Sequence, residues 1–370
     1  MTQFKAVIGL AFGDCGKGLV TDYLCSKSKG KTLITRFSGG QQAGHTVMTG
    51  GMKHTFSNFG SGTLRGVPTM WSRYCTVDPM GIYREAKVLV NLGITPILYV
   101  DPSCPVTTPY DKLYNQNSNV INRHGTCGVG VGATWEREER HYSLLWGDLY
   151  NKTVRDIKLD LIKGYYHDNI HQEERDKFIG YCDFVTDLIP YTNELHAGSY
   201  DDIIFEGSQG ILLDQNVGFF PHVTRSNTDT TNIEKLIGDN PKLELYLVTR
   251  AYQTRHGNGP MTNEKYGTII NNRNETNLDT TFQGKFRKST LDIDLLKYAK
   301  QRGVSQIYKN NPTTLVITCL DHIEQNWFIT YRGELINFQS EDKFVEFISD
   351  NLGIEKVIRV RSPITEDIKE

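Results

Sequence analysis

Near its amino terminus the chain reads AVIGLAFGDCGKG at residues 6–18. The apolar segment Ala6–Leu10 predicts a buried β-strand, and the glycines after it predict a tight turn that leads into a helix. This order exposes backbone N–H groups to an anion, and Lys17 adds a positive charge to the same turn. The segment therefore predicts a phosphate-binding loop after the first strand of an α/β sheet.

The turn departs from the standard P-loop pattern. Ala11 stands where GxxxxGK[ST] has its first glycine, and Gly18 follows the lysine instead of serine or threonine. Asp14 is a further departure, because a carboxylate inside a phosphate loop repels phosphate unless it holds Mg²⁺ or acts as a base. A tight turn with a solvated Asp14 is the alternative that this motif alone leaves open.

Short apolar runs elsewhere alternate with longer helical patterns, which is typical of a mainly parallel sheet with crossover helices. Further strands are predicted at residues 31–35, 97–100, 203–206, 243–248 and 315–318. Helices are predicted at residues 81–92 and 291–302, where apolar residues recur on one helical face. We expect an α/β fold with one domain over residues 1–370, and a peripheral helical insertion at about 148–187.

The 34 glycines concentrate in loops, several of which directly follow predicted strands. These glycine-rich loops cover residues 13–18, 39–44, 125–132, 207–210 and 257–259. Open α/β sheets bind ligands at the carboxyl ends of their strands, so the pattern predicts one large phosphate-bearing ligand or two of them. His45 follows the second loop, and a catalytic and a structural role both stay open for it at this point.

Composition excludes several classes of protein. The 41 Lys and Arg and 43 Asp and Glu give a net charge of −2, which excludes a whole-protein electrostatic footprint for nucleic acid. No apolar run approaches the ~20 residues of a membrane span, and no signal-peptide pattern is present, so we expect a soluble cytoplasmic protein without a membrane partner. Seven cysteines without a CxxC pair predict reduced thiols rather than zinc ligands.

Two motifs carry a specific resemblance. GDCGKG at residues 13–18 and GGQQAGHT at residues 39–46 resemble GDEGKG and GGxNAGHT of the adenylosuccinate synthetase family. AYQTRHGNGP at residues 251–260 is similar to that family's AYSTRVGAGP. Other similar segments follow in the same order, at residues 61–65, 125–130, 205–214, 223–228, 284–292 and 318–321. Because the matches are collinear over nearly the whole chain, it is identified as a member of this family.

The resemblance implies a ligase that couples L-aspartate to a 6-oxopurine nucleotide and cleaves a nucleoside triphosphate. A purine 6-oxygen is a poor leaving group and must first be phosphorylated, so a base must remove the N1 proton. By resemblance Asp14 is that base and, with Gly44, also ligates Mg²⁺. His45 is the implied donor to the 6-oxygen or the transferring phosphoryl group, where charge develops.

The resemblance also implies the binding residues and a homodimer. The residues that the resemblance implies for nucleotide and phosphate binding lie in loops and at strand ends. They are Gly13, Asp14, Cys15, Gly16, Lys17, Gly18, Gln42, Gly44, Thr46, Thr126, Cys127, Gln209, Thr224 and Asp321. A basic loop binds the aspartate carboxylates, with Thr281, Gly284, Lys285, Arg287 and Lys288. An arginine from the second subunit reaches the nucleotide phosphate in the family, and Arg140 is the nearest match, one position out of register.

Departures from the family segments bear on the substrates. The family's TKLD is TCLD here, so the lysine whose stem packs on guanine is replaced by Cys319, while Asp321 remains. This change favours ATP or dATP over GTP as the phosphoryl donor. In the basic loop, Lys285 stands where an arginine approaches the ribose, next to the apolar Phe286, and this arrangement suits a sugar without a 2′-hydroxyl.

These departures resemble the viral branch of the family, which makes N6-succino-2-amino-2′-deoxyadenylate from dGMP. We therefore expect dGMP as the acceptor nucleotide. The alternative is an ordinary member that acts on IMP with GTP. Asp14 favours this alternative, since members of the viral branch carry serine at the corresponding position.

A non-catalytic nucleotide switch is a more remote interpretation. It would use residues 13–18 and Asp321 as a GTPase does, but it does not explain His45 or the basic loop. A covalent cysteine is a further possibility that the reaction class does not require. Cys15 and Cys127, which lie in ligand loops, are accordingly interpreted as replacements of polar residues.

Overall fold

A computed structural model describes most of the chain, namely residues 2–122, 126–167, 170–192, 197–238, 242–264, 275, 277, 279 and 282–369. Gly125 and Thr281, which belong to two of the motifs above, lie outside these described residues. The strands are β1 Gln3–Gly9, β2 Thr32–Arg36, β3 His45–Thr49, β4 Met52–Phe56, β5 Thr69–Trp71, β6 Leu98–Val100, β7 Asp202–Glu206, β8 Leu243–Arg250, β9 Tyr252–His256, β10 Phe286–Asp292, β11 Thr313–Thr318, β12 Trp327–Tyr331, β13 Glu334–Phe338 and β14 Lys356–Arg359. The helices are α1 Lys17–Lys27, α2 Pro79–Asn91, α3 Pro109–Asn122, α4 Val131–Glu139, α5 Lys152–Tyr165, α6 Gln172–Leu188, α7 Thr231–Ile237, α8 Ile293–Gly303 and α9 Glu341–Leu352.

An eight-stranded parallel sheet forms the centre of the fold, in the order β14-β11-β8-β1-β7-β2-β5-β6. Every strand that the sequence predicted lies in this sheet, and the predicted α/β class is confirmed. Helices cover such sheets on both faces, so their strands are continuous apolar runs that stand out in the sequence. Ile8 and Ile204, for example, are fully buried on neighbouring strands.

The predicted start of the helix at residues 291–302 was wrong. Helix α8 begins at Ile293 rather than at residue 291, because Leu291 and Asp292 complete strand β10. The Asp292 carboxylate then caps the helix by accepting hydrogen bonds from the N–H groups of Asp294 and Leu295, at 2.9 and 3.2 Å. An aspartate at this position stops the helix from extending backwards into the strand.

A second sheet and a hairpin were not anticipated. The order of the second sheet is β13-β12-β10-β9, and β3 and β4 pair as a separate antiparallel hairpin. Strand β4 alternates between exposed and partly buried residues before the buried Phe56, and in β10 the basic residues 287–288 follow Phe286. Neither strand contains the continuous apolar run by which the parallel strands were recognised.

Helices α5 and α6 contain most of the segment predicted as a peripheral insertion. Their buried side chains, Leu159, Ile162, Phe178 and Cys182 among them, share one apolar core with Leu89 of helix α2. The single-domain arrangement stays a prediction. Within the described ranges, no helix combines the length and apolar character that crossing a membrane requires.

The parallel arrangement decides where ligands can bind. Strands β1, β2, β7, β8 and β11 end at the same side of the central sheet, which we call the carboxyl edge. Four of the strands lead directly into predicted ligand segments, at residues 13–18, 39–44, 207–210 and 318–321. The carboxyl edge of an open α/β sheet is the usual ligand site, so the predicted motifs converge there.

Candidate active site

The loop between β1 and α1 carries Asp14 in the left-handed backbone region, with φ 49°. A non-glycine residue there is strained and needs support from its surroundings. Two contacts supply it: Thr318 Oγ1 donates to the carbonyl of Cys15 at 3.0 Å, and Arg250 Nε donates to the carbonyl of Asp14. The Asp14 carboxylate is 31% exposed and is therefore accessible to a ligand.

Lys17 begins helix α1 and is 3% exposed. Its ammonium lies 3.8 Å from Cys15 Sγ, a weak acceptor, and no carboxylate of the described residues lies within 4.0 Å of it. A buried cation without a counter-charge is unfavourable, so this position favours a bound anion such as phosphate. The Cys15 side chain packs in the apolar core, which leaves its backbone as the part available to a ligand.

Gly18 has a packing role. A Cβ atom at Gly18 would lie 2.7 Å from the Cβ of His45, closer than carbon atoms approach. Glycine therefore allows helix α1 to lie directly against strand β3, which brings the phosphate-binding turn and His45 together.

A buried hydrogen bond to a carboxylate orients His45. Its Nδ1 lies 2.6 Å from Oε1 of Glu206, the last residue of β7, and the Ser61 hydroxyl and N–H also donate to this carboxylate. Burial raises the pKa of Glu206, but the attraction and hydrogen bonds of His45, Arg36 and Ser61 outweigh it and hold the pKa below its ordinary value. The ionised Glu206 accepts the Nδ1–H of His45, and the Nε2 edge remains for a ligand.

Burial lowers the pKa of His45 below its ordinary value and outweighs the attraction of Glu206. Because Nδ1–H is committed to Glu206, His45 can donate from Nε2 when the ring is doubly protonated. Glu206 and a phosphoryl group at Nε2 would both stabilise that form. The pair is thus suited to a site where negative charge develops during the reaction.

Arg36 is a second buried cation at the carboxyl edge. It ends β2 beside Glu206 of β7, donates from Nη2 to Ser208 Oγ at 3.0 Å and lies 5.1 Å from the Trp71 ring centroid. In the described part of the chain its Nε and Nη1 have no hydrogen-bond partner. Arg36 and Lys17 together give this region a positive character that fits phosphate.

Arg250 joins several loops at the end of β8. Its guanidinium donates to the Asp14 carbonyl, to Glu275 at 2.7 Å and to the Tyr252 hydroxyl at 2.8 Å. The same hydroxyl lies 2.8 Å from Nδ1 of His322, which immediately follows the TCLD segment. Arg250 therefore connects the Asp14 loop to the segment predicted to bind the base of the phosphoryl donor.

Other predicted binding residues differ in whether their polar atoms already have partners in the protein. Gln42 and Gln209 have buried amide atoms without a partner among the described residues, and such atoms usually bind a ligand or water. The hydroxyls of Thr46 and Thr126 already have protein partners, at 2.9 and 3.1 Å. Asp321 is 38% exposed, and its carboxylate lies 3.8 Å from His322.

For three further predicted residues, the surroundings of the side chain do not indicate a ligand. Thr224 is held through its backbone N–H, which donates to the Leu213 carbonyl at 2.8 Å. Arg140 directly follows helix α4 as its C-cap residue and is exposed. Burial raises the pKa of Cys127 to about 11, so its thiol stays protonated at neutral pH and is a poor nucleophile.

The basic loop leads into β10. Lys285 is exposed, and Gly284 has a positive φ of 79°. Arg287 pairs with Glu264 at 2.6 Å, and Lys288 lies alongside the ring of Phe286. A carboxylate ligand that binds Arg287 would have to replace Glu264.

Four residues of this region were not predicted from the sequence, namely Arg36, Glu206, Arg250 and His256. The first three are the last residues of apolar parallel strands, and a charged residue at that position is a signal that could have identified them. His256 stands where the family segment AYSTRVGAGP has valine, so the quoted alignment already contained it.

Family comparison agrees with the geometry. Residues 6–330 match the family model described as adenylosuccinate synthetase. This chain belongs to the adenylosuccinate synthetase family. Members of the family are ligases that form a C–N bond.

Within the adenylosuccinate synthetase family, the chain is 31% identical to the enzyme of Buchnera aphidicola subsp. Schizaphis graminum over 341 residues, which cover 86% of the chain and 77% of that protein. The matched segment spans 65–66% of the length of several other curated relatives.

Two solved structures share the fold. The fully ligated adenylosuccinate synthetase of Plasmodium falciparum matches with a TM-score of 0.81 at 19% identity, over 100% of both chains. The succinoaminodeoxyadenylate synthetase of cyanophage S-2L, bound to dGMP and to dATP as an energy donor, matches with a TM-score of 0.66 at 16% identity, over 100% of this chain and 95% of that one.

Replacing Lys17 by methionine tests the anion site. We expect kcat/KM to fall by at least 100-fold. The thermal midpoint should stay the same or rise, because the substitution removes a buried cation that has no carboxylate partner in the described part of the chain. Enzyme kinetics and thermal denaturation of the ligand-free protein measure the two effects. Lys27→Met, an exposed position at the other end of α1, should change neither quantity. Unchanged kcat/KM in Lys17→Met would exclude a phosphate-binding role.

Proposed function

We propose that this protein joins L-aspartate to C6 of a 6-oxopurine nucleotide, with cleavage of a nucleoside triphosphate and through a 6-phosphoryl intermediate. The observation that carries the proposal is the convergence of three features at the carboxyl edge. They are an accessible carboxylate, Asp14, a buried His45–Glu206 pair, and a buried cation, Lys17, that has no carboxylate partner among the described residues. These are a base, an oriented donor and a phosphate ligand, which phosphoryl transfer to an oxygen requires.

In the first step, Asp14 accepts the N1 proton of the purine, and the 6-oxygen attacks the γ-phosphorus of the donor. The bond from the γ-phosphorus to the bridging oxygen breaks, and the nucleoside diphosphate leaves. His45 and Lys17 stabilise the negative charge on the transferring group. Glu206 keeps the imidazole of His45 in one orientation throughout, because it accepts the Nδ1–H.

In the second step, the neutral amine of L-aspartate attacks C6. The C6–O bond breaks with its electron pair on the oxygen, and the departing inorganic phosphate takes up the proton that the amine loses. Cationic side chains of the basic loop, Lys285, Arg287 and Lys288, would bind the two carboxylates of aspartate. Binding fixes the amine near C6 and turns the attack into an effectively intramolecular reaction.

The oxygen donors at the site suit Mg²⁺. Asp14 offers an accessible carboxylate and Gly44, an exposed residue, a backbone carbonyl, and hard oxygen ligands with bound water and phosphate are what Mg²⁺ prefers. When bound, the ion would neutralise charge on the triphosphate.

For the acceptor we propose dGMP, with ATP or dATP as donor. Cys319 in the TCLD segment and Lys285 beside Phe286 support this assignment, and the cyanophage enzyme, whose structure contains dGMP and dATP, shares the fold. IMP with GTP is the second candidate, favoured by the presence of Asp14 and by curated relatives that are adenylosuccinate synthetases. We further propose a homodimer in which the exposed Arg140 reaches the nucleotide of the other subunit.

Turnover assays distinguish the two acceptors. The purified protein is incubated with L-aspartate, Mg²⁺ and ATP, dATP or GTP, and the succinylated product from dGMP or IMP is identified by mass spectrometry. We expect kcat/KM for dGMP to exceed that for IMP by at least tenfold. His45→Ala is the control that should be inactive with both. Turnover of IMP without turnover of dGMP would refute the assignment and establish the second candidate.

A further inference from the structure

We infer that His256 is a positioning residue for Asp14 and that Phe286 holds it in place. The inference rests on the proposed function, in which Asp14 is the base. His256 ends strand β9, and its Nε2 lies 3.4 Å from Oδ2 of Asp14. Through this contact, a side chain of the second sheet faces the Asp14 carboxylate.

Phe286 supports this arrangement from the neighbouring strand. His256 and Phe286 are register partners of β9 and β10, and their ring centroids are 4.8 Å apart with a 41° tilt. The Arg250 guanidinium, which donates to the Asp14 carbonyl, lies 5.9 Å from the same Phe286 centroid. The Phe286 ring therefore lies next to both residues that contact Asp14: Arg250, which binds its backbone carbonyl, and His256, which faces its carboxylate.

Both residues are departures from the family segments. His256 stands where AYSTRVGAGP has valine, and Phe286 interrupts the run of arginines in the basic loop. The two positions are distant in sequence but in contact in the fold. A valine side chain has no polar atom that could contact a carboxylate. The contact between His256 and Asp14 is therefore one that the family segment lacks.

The contact has a mechanistic consequence. His256 Nε2 faces Oδ2 of Asp14 at 3.4 Å, and the other carboxylate oxygen is then left to accept the N1 proton. The strained backbone of Asp14, with φ 49°, makes such support valuable, because small displacements of a base from its substrate are costly in rate. His256 thus acts through Asp14, and Phe286 acts through His256.

Variants of the full-length protein test this role. His256→Val, which restores the family residue, is expected to lower kcat about tenfold with KM for L-aspartate and for the nucleotides within twofold of wild type. His256→Gln keeps an N–H donor and should recover at least a third of wild-type kcat. Phe286→Leu should lower kcat to an intermediate value. Calorimetric Kd values for the acceptor nucleotide without donor should stay within twofold in all three variants.

A matched control comes from a second histidine–carboxylate contact. His54 Nε2 of strand β4 lies 3.3 Å from Glu85 Oε1 of helix α2, and neither residue is a predicted ligand, so His54→Val should leave kcat unchanged. Unchanged kcat in His256→Val would overturn the inference, and so would a loss that His256→Gln fails to recover. A wild-type protein without ligase activity on any acceptor would refute both the proposed function and this inference, whereas an active wild type with an unaffected His256→Val refutes the inference alone.

Discussion

Replacing Asp14 by asparagine is expected to lower kcat about 10³-fold, within the range by which a general base accelerates a reaction. Asparagine has nearly the same shape as aspartate but cannot accept the N1 proton of the purine. The Asp14 side chain is 31% exposed, so the substitution removes little buried interaction energy and the protein should stay folded. Steady-state kinetics with the preferred acceptor, together with thermal denaturation, measures both effects.

A matched control for Asp14→Asn is Asp183→Asn. Asp183 is similarly accessible, at 35% exposure, and pairs with Lys152 and Arg155 on the helical segment. The control should retain wild-type kcat. If Asp14→Asn kept more than a tenth of wild-type kcat, another group would have to be the base.

Arg137→Met is expected to reduce the free energy of unfolding by about 3–5 kcal/mol, the usual cost of removing one partner of a buried ion pair. The guanidinium of Arg137 is fully buried and donates to the equally buried Asp111 carboxylate at 2.9 Å and to the Val106 carbonyl at 2.8 Å. Methionine fills a similar volume but leaves the Asp111 charge without its counter-ion. Denaturant unfolding of the two proteins measures the difference.

Arg140→Met is the matched control for stability, since Arg140 lies three residues further along the chain but is exposed. We expect it to change the free energy of unfolding by no more than about 0.5 kcal/mol. A loss below about 1 kcal/mol in Arg137→Met would show that the ion pair contributes little. The two arginines differ in role for the same reason. Arg137 is buried in an ion pair, whereas Arg140 is exposed and can reach a second subunit.

The sequence predicted those parts of the fold that depend on local pattern. Strands of the central sheet are buried on both faces, so each is a continuous apolar run that is visible without knowing its neighbours. The glycine-rich loops follow these strands, and the parallel arrangement brings the loops to one edge of the sheet. Strand β10, by contrast, has the basic residues 287–288 directly after Phe286 and contains no continuous apolar run. Its pairing with β9 could therefore not be predicted from the pattern of apolar residues.

The chemical motifs and the family of this protein were determined by the sequence itself, because the order and identity of GDCGKG, GGQQAGHT and the later segments do not depend on folding. The tertiary structure, by contrast, decided which charged side chains contact one another. Glu206 lies far from His45 in sequence, and Arg250 and His256 lie far from Asp14, yet parallel pairing of β1 with β7 and β8 and the approach of β9 place them in contact. Contacts between distant segments depend on strand order and register, which no local pattern specifies.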